Sequence, residues 1–192
     1  MTKKILSRLK KKCDDCTACS LHKQRTRAVF ASGNREADIM FVGEGPGQDE
    51  DEQGKPFVGR AGGVLDKMIR YMGLDRRDVY ITNVVKCRPP KNRKPFEDEA
   101  DTCSERFLNK EIAAIKPKVI IALGKTASNC VLHTRNSVAR LRGRWHEVEG
   151  IDVICTYHPA YLLRSPGEKK KVQKDLKNVM KKLGLTRRKK AK

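Results

Sequence analysis

The chain has 192 residues, 43 Lys and Arg against 23 Asp and Glu, a formal net charge of +20 and seven cysteines. No apolar run approaches the roughly 18 residues that span a bilayer, and the start MTKKILSRLKKK lacks the long apolar stretch of a secretory signal, so a membrane protein and an exported one are not expected. The basic excess favours a phosphate backbone as partner, and an odd number of cysteines argues against a disulfide framework and for an intracellular, reducing setting in which thiols bind metal.

Along the chain, short Val- and Ile-rich runs predict strands at Asp38 to Val42, Val79 to Val84, Val119 to Leu123 and Val153 to Thr156. Helical stripes lie between and after them: Val64, Leu65, Met68, Ile69 and Met72, then Cys103, Phe107, Leu108, Ile112 and Ile115, and finally Val172, Leu176, Val179, Met180 and Leu183. Alternating strands and helices predict an α/β fold, a three-layer αβα sandwich on a mainly parallel sheet of about four strands. One domain is expected over residues 1–184, followed by a disordered basic tail at 185–192.

The unusual residues cluster after the strands. GEGPG, opening the acidic loop GEGPGQDEDEQGKPFVG, follows the first; Asn83 and KCRPP end the second; Gly124-Lys125-Thr126 follows the third; His158-Pro159 follows the fourth. In open α/β sheets ligands bind at this carboxyl edge. The glycine spacing fits neither a dinucleotide fingerprint nor a P-loop. Singly, Asn83 reads as a turn residue, Phe57 as core, His158 as loop and the acids 49–52 as a solvated loop; their convergence on one edge is what points to chemistry. Cys13, Cys16 and Cys19 recur every three residues, and Cys87 and Cys103 flank a Pro-rich loop, so two near pairs offer a four-thiolate site for zinc or an iron–sulfur cluster. Cys130 and Cys155 read as core.

The runs CTACSLH (16–22), GEGPG (43–47), GKPFVGRAG (54–62), YITNVVKCRPP (80–90) and TYHPAYLLR (156–164) resemble the family 4 iron–sulfur uracil-DNA glycosylases, over roughly residues 13 to 183. The resemblance implies a uracil-DNA glycosylase-like fold and a monofunctional, cytoplasmic, monomeric repair enzyme of a prokaryote. It would flip uracil from single- or double-stranded DNA and hydrolyse the N-glycosidic bond. It also implies a structural [4Fe-4S] cluster on Cys16, Cys19, Cys87 and Cys103, with Cys13 an extra thiol. Uracil would meet Glu44, Gly45, Pro46, Phe57, Asn83 and His158, with Glu44, Glu50 and His158 catalytic. Leu162 or Leu163 would wedge into the DNA and Arg164 would grip a phosphate. A second histidine after Asn83, found in covalently crosslinking relatives, is absent, so covalent trapping is not expected. A sliding clamp is a partner by analogy only. The competing class is a noncatalytic iron–sulfur DNA-binding module.

Overall fold

The computed structural model describes residues 1–186. Strands β1 (Ala31–Gly33), β2 (Ile39–Gly43), β3 (Tyr80–Asn83), β4 (Val119–Leu123), β5 (Trp145–Val148) and β6 (Ile151–Thr156) form one sheet in the order β1-β3-β2-β4-β6-β5. The inner four are parallel neighbours and the outer two pair antiparallel with β3 and β6. Six strands replace the four expected. The inner strands are fully apolar runs because both faces are covered, whereas the edge strands ASG and WHEV are short and part-exposed and carry no such signature.

The nine α-helices of the described residues are α1 (Thr2–Asp14), α2 (Gln48–Gln53), α3 (Arg60–Tyr71), α4 (Glu97–Cys103), α5 (Asn109–Ile115), α6 (Gly124–Leu132), α7 (Val138–Leu141), α8 (Pro159–Arg164) and α9 (Lys169–Leu183). None is long and apolar enough to cross a membrane. Successive strand residues point to opposite faces, which splits the core in two. Met40, Val42, Ile120 and Ala122 pack with Leu6, Leu9, Phe107 and Val131 on one side. Ile39, Phe41, Ile121 and Leu123 pack with Leu65, Ile69, Leu176 and Val179 on the other. This is the three-layer αβα sandwich. Each fully buried Leu or Ile contributes about 1.5–3 kcal/mol by leaving water.

The basic start of the chain is itself a helix, α1, whose Leu6, Leu9 and Cys13 share one buried stripe beneath a coat of lysines. A π-helical turn, Ser104–Leu108, joins α4 to α5 directly after Cys103. At the other end Gly184 closes α9 in a left-handed cap, and Leu185 donates its amide to the Met180 carbonyl (2.9 Å) and packs on the core. Leu185 therefore belongs to the folded body; the remainder of the expected tail, from 187, lies outside the described residues.

Candidate active site

Since β2 pairs with both β3 and β4, the chain reverses its direction of winding at β2, and the crevice opens between the carboxyl ends of β2 and β4. Gly43 ends β2 there. A Cβ at Gly43 would lie 2.3 Å from Asn83 Oδ1 and 2.5 Å from Phe57 Cζ, so only glycine lets these two side chains meet over the strand end.

The acidic stretch is not a solvated loop. It winds into α2, with Glu50 and Asp51 buried. Glu50 Oε1 accepts the main-chain N–H groups of Val58 and Gly59 (both 2.8 Å) and its Oε2 accepts that of Gly47 (3.1 Å). Asp51 accepts the amide of Thr26 on both oxygens (3.0 Å), tying the N-terminal segment to the loop. Glu44 is held differently: across the crevice the Thr126 hydroxyl at the start of α6 donates to its Oε2. Glu50 and Asp51 thus brace backbone, whereas Glu44 takes one side-chain bond.

Phe57 sits in the left-handed region at φ 55°, a strained position for a bulky residue. The surroundings over-determine it. Arg76 donates to the carbonyls of Phe57 and Pro56 (2.7 Å each) while pairing with Asp66 (2.9 Å), and a Cβ at Gly62 would strike the Phe57 carbonyl at 2.0 Å. The ring lies 5.8 Å, centroid to centroid, from His158. His158 caps α8: its Nδ1 accepts the Ala160 N–H (3.1 Å). Because an amide can only donate, Nδ1 is bare and the neutral ring carries its proton on Nε2. Burial, helped by the Arg164 charge and opposed by the Glu50 carboxylate, lowers the imidazole to about 4, so the ring is neutral at pH 7.

Asn83 is 1% exposed, and its Oδ1 has no hydrogen-bond partner among the described residues. A buried orphan acceptor calls for a ligand donor. Its own carbonyl is pinned by Lys86 Nζ (2.9 Å), which also donates to Thr82 Oγ1 (2.6 Å) and pairs with buried Glu111, itself bonded to the Tyr80 hydroxyl (3.0 Å). The main-chain N–H of Lys86 points to Cys103 Sγ (3.3 Å), so one residue links Asn83 to the thiols.

Cys13, Cys16, Cys19, Cys87 and Cys103 line a single small cavity, all as free thiols. Arg25 Nη1 donates to Cys87 Sγ (3.0 Å). Burial raises the Cys13, Cys19 and Cys87 thiols and pushes Cys103 up to about 12. Five cysteine sulfurs around one cavity are a donor set that zinc and an iron–sulfur cluster both accept. Cys130 and Cys155 lie apart, Cys155 buried in β6 and Cys130 on α6 bonded to Ser104 (3.1 Å).

Glu44, Gly45, Pro46, Glu50, Phe57, Asn83 and His158 all line one cavity of about 210 Å³, below the size of a drug-like pocket and on the scale of a single ring. Leu163 and Arg164 are exposed on α8 beside it. Leu162 is 2% exposed and packed in the core with Leu65 and Leu176, so it is not free to wedge into DNA and that expectation is corrected. Sequence reasoning missed Thr126, which holds Glu44 without lining the cavity itself, and it missed Asn92 and Arg93, which do line it. Arg93 is fixed by a bidentate pair with Glu99 (2.8 Å twice), which Ser20 also contacts; nothing in the RKPF run announces this.

The profile of the Uracil DNA glycosylase superfamily matches residues 30–188. The chain is 49% identical over 154 residues to a type-4 uracil-DNA glycosylase of Thermotoga maritima, covering 78% of this chain and 79% of that one. It is 42% identical over 172 residues to a type-4 uracil-DNA glycosylase of Archaeoglobus fulgidus, covering 85% and 86%. To a type-5 uracil-DNA glycosylase of Pyrobaculum aerophilum it is 33% identical over 153 residues, covering 71% and 67%.

Proposed function

The chain belongs to the uracil-DNA glycosylase superfamily, in its type-4 branch, and on that premise we propose that it excises uracil from DNA by hydrolysing the bond between uracil N1 and deoxyribose C1′. The observation that carries the proposal is the cavity in which the orphaned Asn83 Oδ1, the Phe57 ring and the bare-Nδ1 imidazole of His158 meet. A base inside a duplex cannot reach such a cavity; it must be flipped out, at a few kcal/mol of unstacking. Asn83 Oδ1 then accepts uracil N3–H, and Phe57 covers the ring.

As the glycosidic bond breaks, its electron pair passes to uracil, whose O2 and N1 share the negative charge, and the sugar becomes oxocarbenium-like. His158 Nε2–H donates to O2 without giving up its proton, an arrangement that suits a ring held neutral. Water adds at C1′ and its proton passes to a carboxylate. Glu44 fits that role, because Thr126 occupies only one of its oxygens. Glu50, whose two oxygens already take three main-chain N–H groups, serves as the brace of the Phe57 loop. The exposed Leu163 fills the vacated stack and Arg164 meets a phosphate.

The thiol cavity fits an iron–sulfur cluster, and Cys16, Cys19, Cys87 and Cys103 would hold [4Fe-4S], with Cys13 a fifth thiol on the same wall. Hydrolysis needs no electron transfer, so the cluster would supply architecture: it would tie the segment after α1 to the loop that begins after Asn83. The test is release of uracil from a uracil-containing oligonucleotide, revealed by alkaline cleavage at abasic sites. Excision that falls about 10²- to 10³-fold in His158→Ala supports the proposal. A wild-type protein that binds DNA and releases no uracil supports the noncatalytic module.

A further inference from the structure

Beside the uracil-sized cavity lies a larger groove, about 780 Å³, between α4 with its preceding loop and α6. The two are joined by a hydrogen bond: Thr126, which lines the groove, donates its hydroxyl to Glu44, which lines the first cavity. Arg93 links them as well, since it lines the first cavity while its guanidinium lies 3.8 Å from the centroid of Phe96, which lines the groove. None of the chemistry proposed above uses this space.

Its lining is specific. Phe96 is 59% exposed, against 37% for Tyr161 on α8. A loose aromatic ring in water is a poor investment, but this one is a fixed platform: its backing guanidinium is locked by both oxygens of Glu99, and its own amide donates to Glu99 Oε2 (2.8 Å). Every nucleobase has a face that stacks on such a ring. Asn129 is part of the groove lining, and its Oδ1 is buried just behind that surface without a partner among the described residues, so this acceptor lacks a donor. Asp101 and Glu105 add further acceptors; Glu97 is paired with Arg135 (3.3 Å), which leaves Lys94 and Lys125 as the lining cations with no ion pair among the described residues. Carboxylates repel a phosphate and attract N–H groups, so the groove suits a neutral ring bearing an amino group, with its phosphate held by the lysines.

We propose that this groove is a second nucleobase subsite, which takes the base next to the flipped uracil, stacked on Phe96 with its exocyclic amino group donating to Asn129 and the neighbouring carboxylates. The inference rests on the glycosylase reading and adds to it a preference for adenine, cytosine or guanine over thymine as neighbour on one side of the uracil.

The experiment measures binding of single-stranded oligonucleotides carrying 2′-fluoro-deoxyuridine, whose fluorine destabilises the cationic transition state and blocks cleavage. The residue 5′ or 3′ to it is adenine, thymine or a tetrahydrofuran abasic analogue. On one side, the wild-type protein should bind the adenine-flanked strand about 5- to 100-fold more tightly than the abasic-flanked one, with thymine between. Phe96→Ala should abolish that difference while binding the abasic-flanked strand as the wild type does, Phe96→Trp should keep it, and Asn129→Leu should erase the advantage of adenine over thymine. Equal binding of all neighbours by the wild type, or a uniform loss in Phe96→Ala that includes the abasic-flanked strand, overturns the subsite. A wild-type protein that releases no uracil from the unfluorinated strands overturns the glycosylase reading instead.

Discussion

His158 gives the sharpest consequence of the site's electrostatics. Its imidazole is held at about 4 by burial and by Arg164, against an ordinary 6.5. A shift of that size disfavours the charged ring by about 3 kcal/mol, so at pH 6 only about 1% of His158 is imidazolium, where a free histidine would be mostly charged. Protonation would also place an N–H on Nδ1 against the Ala160 N–H that now donates to it. The unfolded chain takes up this proton below about 6.5 and the folded one only near 4, so stability is whole above 6.5 and falls as pH drops through that window. The assay is ¹⁵N NMR of histidine-labelled protein, with His158→Gln to assign one ring of the four, alongside single-turnover uracil release from pH 5 to 8. The expected result is an Nε2–H tautomer at pH 6 and no acid limb near 6.5 that disappears in His158→Gln. A midpoint between 6 and 7, or an Nδ1–H tautomer, refutes the assignment of His158 as a neutral donor.

Three further outcomes are expected. Glu44→Gln should lower single-turnover excision about 10²- to 10³-fold with little change in melting temperature, whereas Glu50→Gln, which weakens three main-chain bonds, should show its main cost in stability, about 1–3 kcal/mol by denaturant titration. Gly43→Ala, with a Cβ driven into Asn83 and Phe57, should weaken uracil binding and cost about 1–3 kcal/mol of stability; a variant with unaltered KM contradicts the close packing. Lys86→Met leaves Glu111 buried without its cation and should cost about 3–5 kcal/mol, with most of the loss recovered in Lys86→Met/Glu111→Leu; equal loss in both contradicts the ion-pair account.

What the sequence exposed followed from burial. The inner strands were legible because a sheet covered on both faces writes unbroken runs such as Val119 to Leu123, and the helix α3 because Leu65, Met68 and Ile69 repeat at helical spacing. The edge strands were not, since β1 is three residues with no apolar pattern. The site residues at strand ends were found by position: Glu44, Phe57, Asn83 and His158 line one cavity. Residues that act through a tertiary bond left no local trace. Asp51 looked like one acid among several until its partner amide, 25 residues earlier, was seen. Thr126 reaches Glu44 across 82 residues, and Lys86 meets Glu111 through the interior. Leu162 and Leu163 were indistinguishable in sequence; which one faces solvent depends on how α8 lies on α3.

The most direct measurement is a crystal structure with free uracil bound. The account requires the ring against Phe57, N3–H on Asn83 Oδ1 and O2 within hydrogen-bond reach of His158 Nε2. Uracil seated elsewhere, or with its N3 edge turned away from Asn83, contradicts it.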